Sequence, residues 1–355
     1  MDYELFISRA SPYSSKIVAL LGYAGVDHEV RIQNGVNRFT VIRRLTGKTM
    51  VPVLRRGDWA LNDSTKIAEY IMEQSERPLL PNPEAQVLAW FIEDFADEWM
   101  VRWMADSRWR NEEDADHVAQ VVGRELMGAV PVGGGVVGRQ AARLIQAQMK
   151  PWGVRRESER ALRGSAQRCL AALEAIFSRG PDYLFGAHPT VADFSIYGPL
   201  VQYGQDPTGR RHMEDYPALR EFIRRMDALA DRPAGGEWAE NRGADLSRLT
   251  PLFGEIMGTY WPVMAANHRA RIEENKEVVA DLIDGSRFRC RASGYLQARL
   301  EWLLEHVDRA YAKRDRLFGE QGMRMERALV GQIAELSESE AGRHLLRRYD
   351  HVGLH

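Results

Sequence analysis

Three short clusters hold residues whose type and spacing could do chemistry. The first is Ser11-Pro12-Tyr13-Ser14-Ser15-Lys16. Ser11 stands where an opening strand ends, and Pro12 suits the first position of a helix. That order puts the Ser11 hydroxyl at a helix N-terminus. Free N–H groups and the positive end of the helix dipole converge there and favour an anion. A thiolate brought to this point would be stabilised, and a thiol pKa near ~8.5 would fall toward neutrality. The hydroxyl could add a hydrogen bond to that sulfur, or it could only cap its own helix. The second cluster is Val51-Pro52. A proline entering a short strand suits either a cis bond or a sheet edge. A cis bond would leave the N–H and C=O of Val51 open to an extended peptide. The third is Asp63-Ser64 at the start of another helix. Backbone N–H groups plus a hydroxyl make a carboxylate site, and the Asp63 carboxylate could hold an amino group. Capping explains this pair equally well.

The elements that must position these clusters follow from periodicity. Residues 3–7 form a strand, and 12–24 form a helix with Ile17, Leu20, Leu21 and Ala24 on one face, closed by Gly25. Residues 28–32 alternate as a second strand, and 37–45 make a short helix. Residues 51–54 and 59–61 flank Arg55-Arg56-Gly57-Asp58, a hairpin signal. Asn62-Asp63-Ser64-Thr65 caps a helix with Ile67, Ile71 and Met72 on its apolar face. This is a small α/β unit over residues 1–77. The proline-rich connector 78–83 ends it. Residues 84–235 read as all-helical: one long helix over 84–110, a helix, a glycine-rich loop and a helix over 111–155, and further helices over 157–178, 190–203 and 216–229. Thr190-Val191-Ala192-Asp193 carries a capping box. A break at Pro233-Ala234-Gly235-Gly236 opens a tail, 236–355, with helices near 247–275 and 294–313. Between them lies a hairpin of 278–282 and 287–291, turning near Asp284-Gly285.

In this order and spacing, the three clusters resemble the N-terminal thioredoxin-like domain of the cytosolic glutathione transferase superfamily. The matching stretches are 3–21, Gly47-Lys48-Thr49-Met50-Val51-Pro52-Val53-Leu54, and Leu61-Asn62-Asp63-Ser64 through Tyr70-Ile71. Thr190-Val191-Ala192-Asp193-Phe194 is similar to the capping box of that family's helical domain. The resemblance spans roughly residues 1–235. It implies a thioredoxin-like domain, an all-helical domain, and an added, mainly helical extension with a β-hairpin. It implies glutathione as cosubstrate and Ser11 as the catalytic serine that activates its thiol. Tyr13 and Ser14 share that first helical turn and join the glutathione site. Val51 and Pro52 would hold the cysteinyl part, Asp63 and Ser64 the γ-glutamyl end, and Lys48 the glycyl carboxylate. Met100, Trp103 and Met104 would touch a small hydrophobic electrophile. A homodimer is implied as well. Serine at position 11 argues against classes that form mixed disulfides through a cysteine. The same string also resembles bacterial β-etherases, which leaves a glutathione-dependent isomerase or lyase, or a non-catalytic binding module, as alternatives. The added residues 236–355 could cover the cleft, extend a dimer contact or form a separate small domain.

Composition narrows the class. The chain has 355 residues, 45% hydrophobic and 28% charged, with a formal charge of −2. These are values of a folded globular protein with no global field for nucleic acid. No run of apolar residues is long enough for a membrane span. Residues 1–9 lack a secretory pattern. Cys169 and Cys290 fit neither a disulfide framework nor a zinc site, so a reducing cytoplasm is the simplest location. Gly133-x-Gly135-x-x-Gly138 matches a dinucleotide fingerprint only as a string, without its strand or acidic partner. Glu93, Asp94, Asp97 and Glu98 read as a solvated acidic face. His28, His117, His188, His212, His268, His306 and His344 show no metal spacing, and His351 and His355 stand at i and i+4 but at the terminus, where fraying is the expectation.

Overall fold

The structure is a computed structural model that describes residues 3–82, 85–128, 134–231 and 245–312. The Pro233–Gly236 break, Gly133, His351 and His355 lie outside them.

The chain opens with β1 (Tyr3–Ile7), α1 (Pro12–Ala24) and β2 (His28–Ile32). This crossover sets β1 and β2 parallel, Leu5 facing Val30. A wide helical turn (Arg38–Ile42) and α2 (Arg43–Thr46) lead to β3 (Val53–Arg56), β4 (Trp59–Asn62) and α3 (Ser64–Met72). The sheet order is β2-β1-β3-β4, with β3 antiparallel to both neighbours. Alternation along the strands divides their side chains between two faces. Leu5, Ile7 and Leu54 enter the large core with α1 and α3. Phe6 and Val53 turn the other way and pack on Ile42. Pro12 takes the first helical position of α1, and Gly25 closes it in the left-handed region at φ 69.

The helical part follows as α4 (Gln86–Phe95), a wide turn (Ala96–Met100) and α5 (Val101–Arg110). The stretch expected as one helix is therefore continuous but locally widened, a feature frequent at functional sites. Next come α6 (Glu112–Met127), α7 (Gly134–Met149), α8 (Glu159–Arg179), α9 (Val191–Gln205), α10 (Pro207–His212) and α11 (Pro217–Asp231). The helices α6 and α7 form a hairpin crossing at glycines. A Cβ on Gly138 would stand 1.8 Å from the Ala119 carbonyl oxygen. The last glycine of the fingerprint-like string thus serves helix packing. The capping box opens α9: buried Asp193 accepts from the Thr190 N–H and hydroxyl, both at 2.8 Å, and from the Leu184 N–H at 2.7 Å.

The extension contains α12 (Thr250–Glu255), a wide turn (Ile256–Tyr260), α13 (Trp261–Ile272), the hairpin β5 (Glu277–Asp281) and β6 (Arg287–Arg291), and α14 (Gly294–Ala312). The hairpin pairs Val278 with Cys290, in the expected place. Its apolar residues do not close a core of their own. Leu252, Tyr260, Trp261, Phe288 and Leu300 belong to the same continuous core as α1, α4 and α8. Trp261 packs on Phe91, Phe288 on Trp99, and Trp302 stands edge-on to Trp90.

The expected solvated acidic face is overturned. Glu93, Asp94, Asp97 and Glu98 are all buried. Their counter-charges arrive from far along the chain, Lys16 on α1 and Arg299 on α14.

Candidate functional site

The N-terminal turns of α1 and α3 meet at one residue of the widened turn, Asp97. The Tyr13 hydroxyl donates to the Asp97 carbonyl at 3.0 Å. The Ser64 hydroxyl donates to the Asp97 carboxylate at 3.0 Å, and Lys16 Nζ to the same oxygen at 2.8 Å. Two helix N-termini are thereby tied side by side, so their positive ends point into one cleft.

Ser11 is the N-cap of α1, in extended backbone (φ −102, ψ 120). Its Oγ accepts from the Ser14 N–H at 3.2 Å, and its own proton has no acceptor among the described residues. Ser14 is buried, with Oγ accepting from the Ser8 N–H at 3.2 Å. The Tyr13 phenol is held protonated, since burial and then Glu98 push its pKa well up. Val51 precedes a cis bond to Pro52. Among the described residues its N–H and C=O have no hydrogen-bond partner. Asp63 is the N-cap of α3 at φ 89, a strained value for a side-chain-bearing residue and one that recurs at ligand sites. One of its oxygens accepts from the Thr65 and Lys66 N–H groups at 3.1 and 3.4 Å. Lys48 is exposed, just after the left-handed turn at Gly47.

Beneath the cleft lies a charge network that sequence reasoning missed. Lys16, 1% exposed, bridges Glu93 at 2.7 Å and Asp97. Arg299 bridges Glu93 at 2.9 Å and Asp94 at 2.5 Å. Thr65 donates to Glu93 at 2.6 Å, and Tyr260 to Asp94 at 2.6 Å. Two carboxylates share one lysine here. Burial acts to raise Glu93, but Lys16 and Arg299 outweigh it and keep this carboxyl low. Asp97 is pushed up to about 6 by burial, with repulsion from Glu93 adding to it. Burial alone would lower Lys16, yet Asp97 and Glu93 more than reverse that, so it stays charged.

The extension reaches this site along α14. Residues 295, 299, 302 and 306 lie on one helical face. Arg299 meets Glu93, while Trp302 Nε1 donates to Glu69 of α3 at 3.1 Å. One turn earlier Tyr295, 51% exposed, stands in the field of Glu98, Asp63 and Tyr13.

Glu98 is the odd member. Its carboxyl has no hydrogen-bond partner among the described residues, and burial, then Asp94, push it up to about 8 from 4.5. Between those values the native state keeps a proton that the unfolded chain has lost, so stability falls as pH rises. The stability is full below about 4.5 and is lost as pH passes through about 8. Glu98→Gln should flatten this decline by on the order of a few kcal/mol at its upper end. Melting temperatures across that pH range measure it; parallel curves for parent and variant would refute it.

Met100, Trp103 and Met104 are enclosed in the core. Trp103 stands edge-on to Tyr203, and its buried indole N–H has no partner among the described residues. None of the three lines the large cavity beside the β1–α1 loop. That cavity, about 690 Å³, is walled by the ends of β1 and β2 and by α1, α5, α6 and α9.

Residues 5–79 match the glutathione S-transferase N-terminal domain, and residues 146–225 match the C-terminal domain of the same family. The chain belongs to the glutathione S-transferase superfamily. Both matched segments of this transferase-family chain sit where the fold requires, the first on the sheet with α1 and α3, the second on α8 to α11. The hairpin α6–α7 lies almost wholly between them, and the extension lies beyond both. Solved structures of similar fold include a GST-like protein from Pseudomonas syringae, 18% identical, with 65% of this chain and 69% of that one covered and a TM-score of 0.45. Others are the beta-etherase LigF from a Sphingobium species (19%, 64% and 96%, 0.47) and a Methylobacterium radiotolerans glutathione S-transferase in complex with glutathione sulfonate (18%, 67% and 98%, 0.44). No curated protein matches the chain.

Proposed function

We propose that the protein is a glutathione-dependent transferase. Glutathione lies extended along Val51, whose free N–H and C=O take the cysteinyl main chain. Its γ-glutamyl carboxylate sits on the N-terminus of α3 at Ser64, with Asp63 facing the amino group. Lys48 meets the glycyl carboxylate. The sulfur rests at the N-terminus of α1, and the Ser11 hydroxyl donates to it. The thiol proton leaves to water. The thiolate pair then forms a bond to an electrophilic carbon of the second substrate, and the leaving group departs with its own pair. The observation carrying this reading is the pairing of two helix N-termini, tied through Asp97, with a stretch of unpaired main chain at Val51.

The family match and the glutathione sulfonate held by the Methylobacterium structure support the choice of ligand. Calorimetry with glutathione, followed by a conjugation assay with chlorodinitrobenzene, tests the proposal. Binding with stoichiometric loss of thiol is expected. Turnover of another substrate without loss of thiol would reassign the protein to isomerase chemistry, and binding without any turnover would make it a binding module.

A further inference from the structure

We infer that the cavity beside the β1–α1 loop is the second-substrate site and that it selects an electrophile bearing a carboxylate. At about 690 Å³ it has the size of a small-molecule pocket. It adjoins the turn that carries Ser11, although Ser11 itself is not in its wall. Ala10 and Ser14 line it, and the Ser14 N–H donates to Ser11 Oγ at 3.2 Å.

Its polar groups divide into those already satisfied and those left over. Arg108 is held by Asp206 at 2.8 Å and by the Ala10 carbonyl at 2.9 Å, so that pair is neutral and spent. Glu125 accepts from the Ser8 hydroxyl at 2.7 Å and the Arg9 N–H at 2.6 Å. The Glu125 carboxylate keeps its charge, so against it the two remaining arginines, Arg9 and Arg124, leave the cavity one positive charge in excess. Arg9 and Arg124, both exposed, are among the residues lining the cavity, and neither has an ion-pair partner among the described residues. Gln33 is 7% exposed and lines the cavity, yet its side-chain amide has no partner among them either. Its amide atoms are not sealed from solvent, so they are open to a ligand or to water in the cavity. Val18, Ile32 and Val121 supply the apolar wall.

Two uncommitted guanidinium groups and a free amide around an apolar wall fit an aromatic or aliphatic body that ends in a carboxylate. Guanidinium matches a carboxylate with two parallel hydrogen bonds. Arg124 lies on α6, outside both segments that match the family. The family match therefore says nothing of its charge. The subsite rests on the transferase reading for its reaction and on the cavity alone for its binding.

A matched pair of probes, a chlorodinitrobenzoate and the corresponding benzamide, tests it on the full chain at saturating glutathione. In each, the S–C bond forms and chloride leaves with the C–Cl pair. After correction for uncatalysed rates, kcat/KM should favour the benzoate about tenfold, as expected for a charge-assisted contact. In Arg9→Gln with Arg124→Gln the benzoate-to-benzamide ratio should fall toward one. Both side chains are exposed, so circular dichroism should show an unchanged fold. Equal rates for the two probes, or a ratio untouched by the substitutions, would overturn the subsite. Should neither probe turn over, the transferase reading fails, and calorimetry with dinitrobenzoate against dinitrobenzamide decides the subsite alone. Tighter benzoate binding that the double variant loses supports it; equal or absent binding overturns it.

Discussion

Replacing Lys16 with methionine should destabilise the protein by roughly 3–5 kcal/mol, the range for removing one partner of a buried pair. Methionine matches the stem of the lysine, so the loss comes from charge and not from a void. Without Lys16, Glu93 keeps Arg299 and Thr65. Asp97 keeps only the Ser64 hydroxyl among side chains. Its carboxyl, already high at about 6, must then stay protonated or bury a charge without a counter-ion. The double variant Lys16→Met with Asp97→Asn removes that charge and should recover part of the loss. Denaturant unfolding of the four proteins of this cycle measures the coupling between the two groups. A single-variant loss below about 1 kcal/mol, with no recovery in the double, would mean that the pair is solvated and the network is not a support of the site.

The same network shows why some of the architecture is legible in sequence and some is not. Strands, caps and hairpins depend on neighbours a few residues apart. Pro12 at the start of a helix, Gly25 at its end, the Thr190–Asp193 box and the turn at Asp284-Gly285 are all local signals, and each stands where its signal puts it. The acidic cluster on α4 and the following turn reads as solvated by the same local logic, since four carboxylates within six positions repel one another. What reverses it is non-local. Lys16 lies 77 residues from Glu93, and Arg299 lies 206 residues from it. No periodicity carries that information. Nor does a helical stripe say which of its aromatic residues face a cavity, and Met100, Trp103 and Met104 turned out to be core. The cavity depends instead on α6, whose approach to β2 is fixed by contacts such as the Gly35 N–H donating to the Leu126 carbonyl at 2.9 Å.

The extension is likewise a consequence of burial. Without the tail, α4, the widened turn and α8 would present Trp90, Phe91, Trp99 and Cys169 to water, and the tail covers them with Trp302, Trp261, Phe288 and its own helices. Arg168 fixes the far side, bridging Glu255 at 2.7 Å and Asp284 at 2.9 Å. Through Arg299 this packing is connected to Glu93, and through Glu93 to Lys16, in the second turn of α1, and to Thr65, in the first turn of α3.

Ser11→Ala should slow conjugation about tenfold to a hundredfold. A hydrogen bond to a charged group contributes roughly 1.5–3 kcal/mol, and that difference enters the rate directly if thiolate formation limits. Four hydroxyls share this turn, and their partners separate them; that of Ser15 donates to the Ser11 carbonyl at 3.4 Å. The Tyr13 proton is committed to the Asp97 carbonyl, and Ser14 is buried against the Ser8 N–H. Ser11 is half-buried, accepts from one N–H, and has no acceptor for its own proton among the described residues. Its loss removes the donor to sulfur while leaving the main chain of Val51 and the N-terminus of α3 in place. The glutathione KM should therefore change little while kcat falls, and the thiol of bound glutathione should titrate at higher pH. Loss of the cap costs about 1 kcal/mol of stability, too little to account for a rate effect of that size. Thiolate absorbance of the bound tripeptide against pH, beside steady-state rates, gives both readouts. A variant with unchanged kcat and an unchanged titration would show that main-chain N–H groups of α1 hold the sulfur unaided.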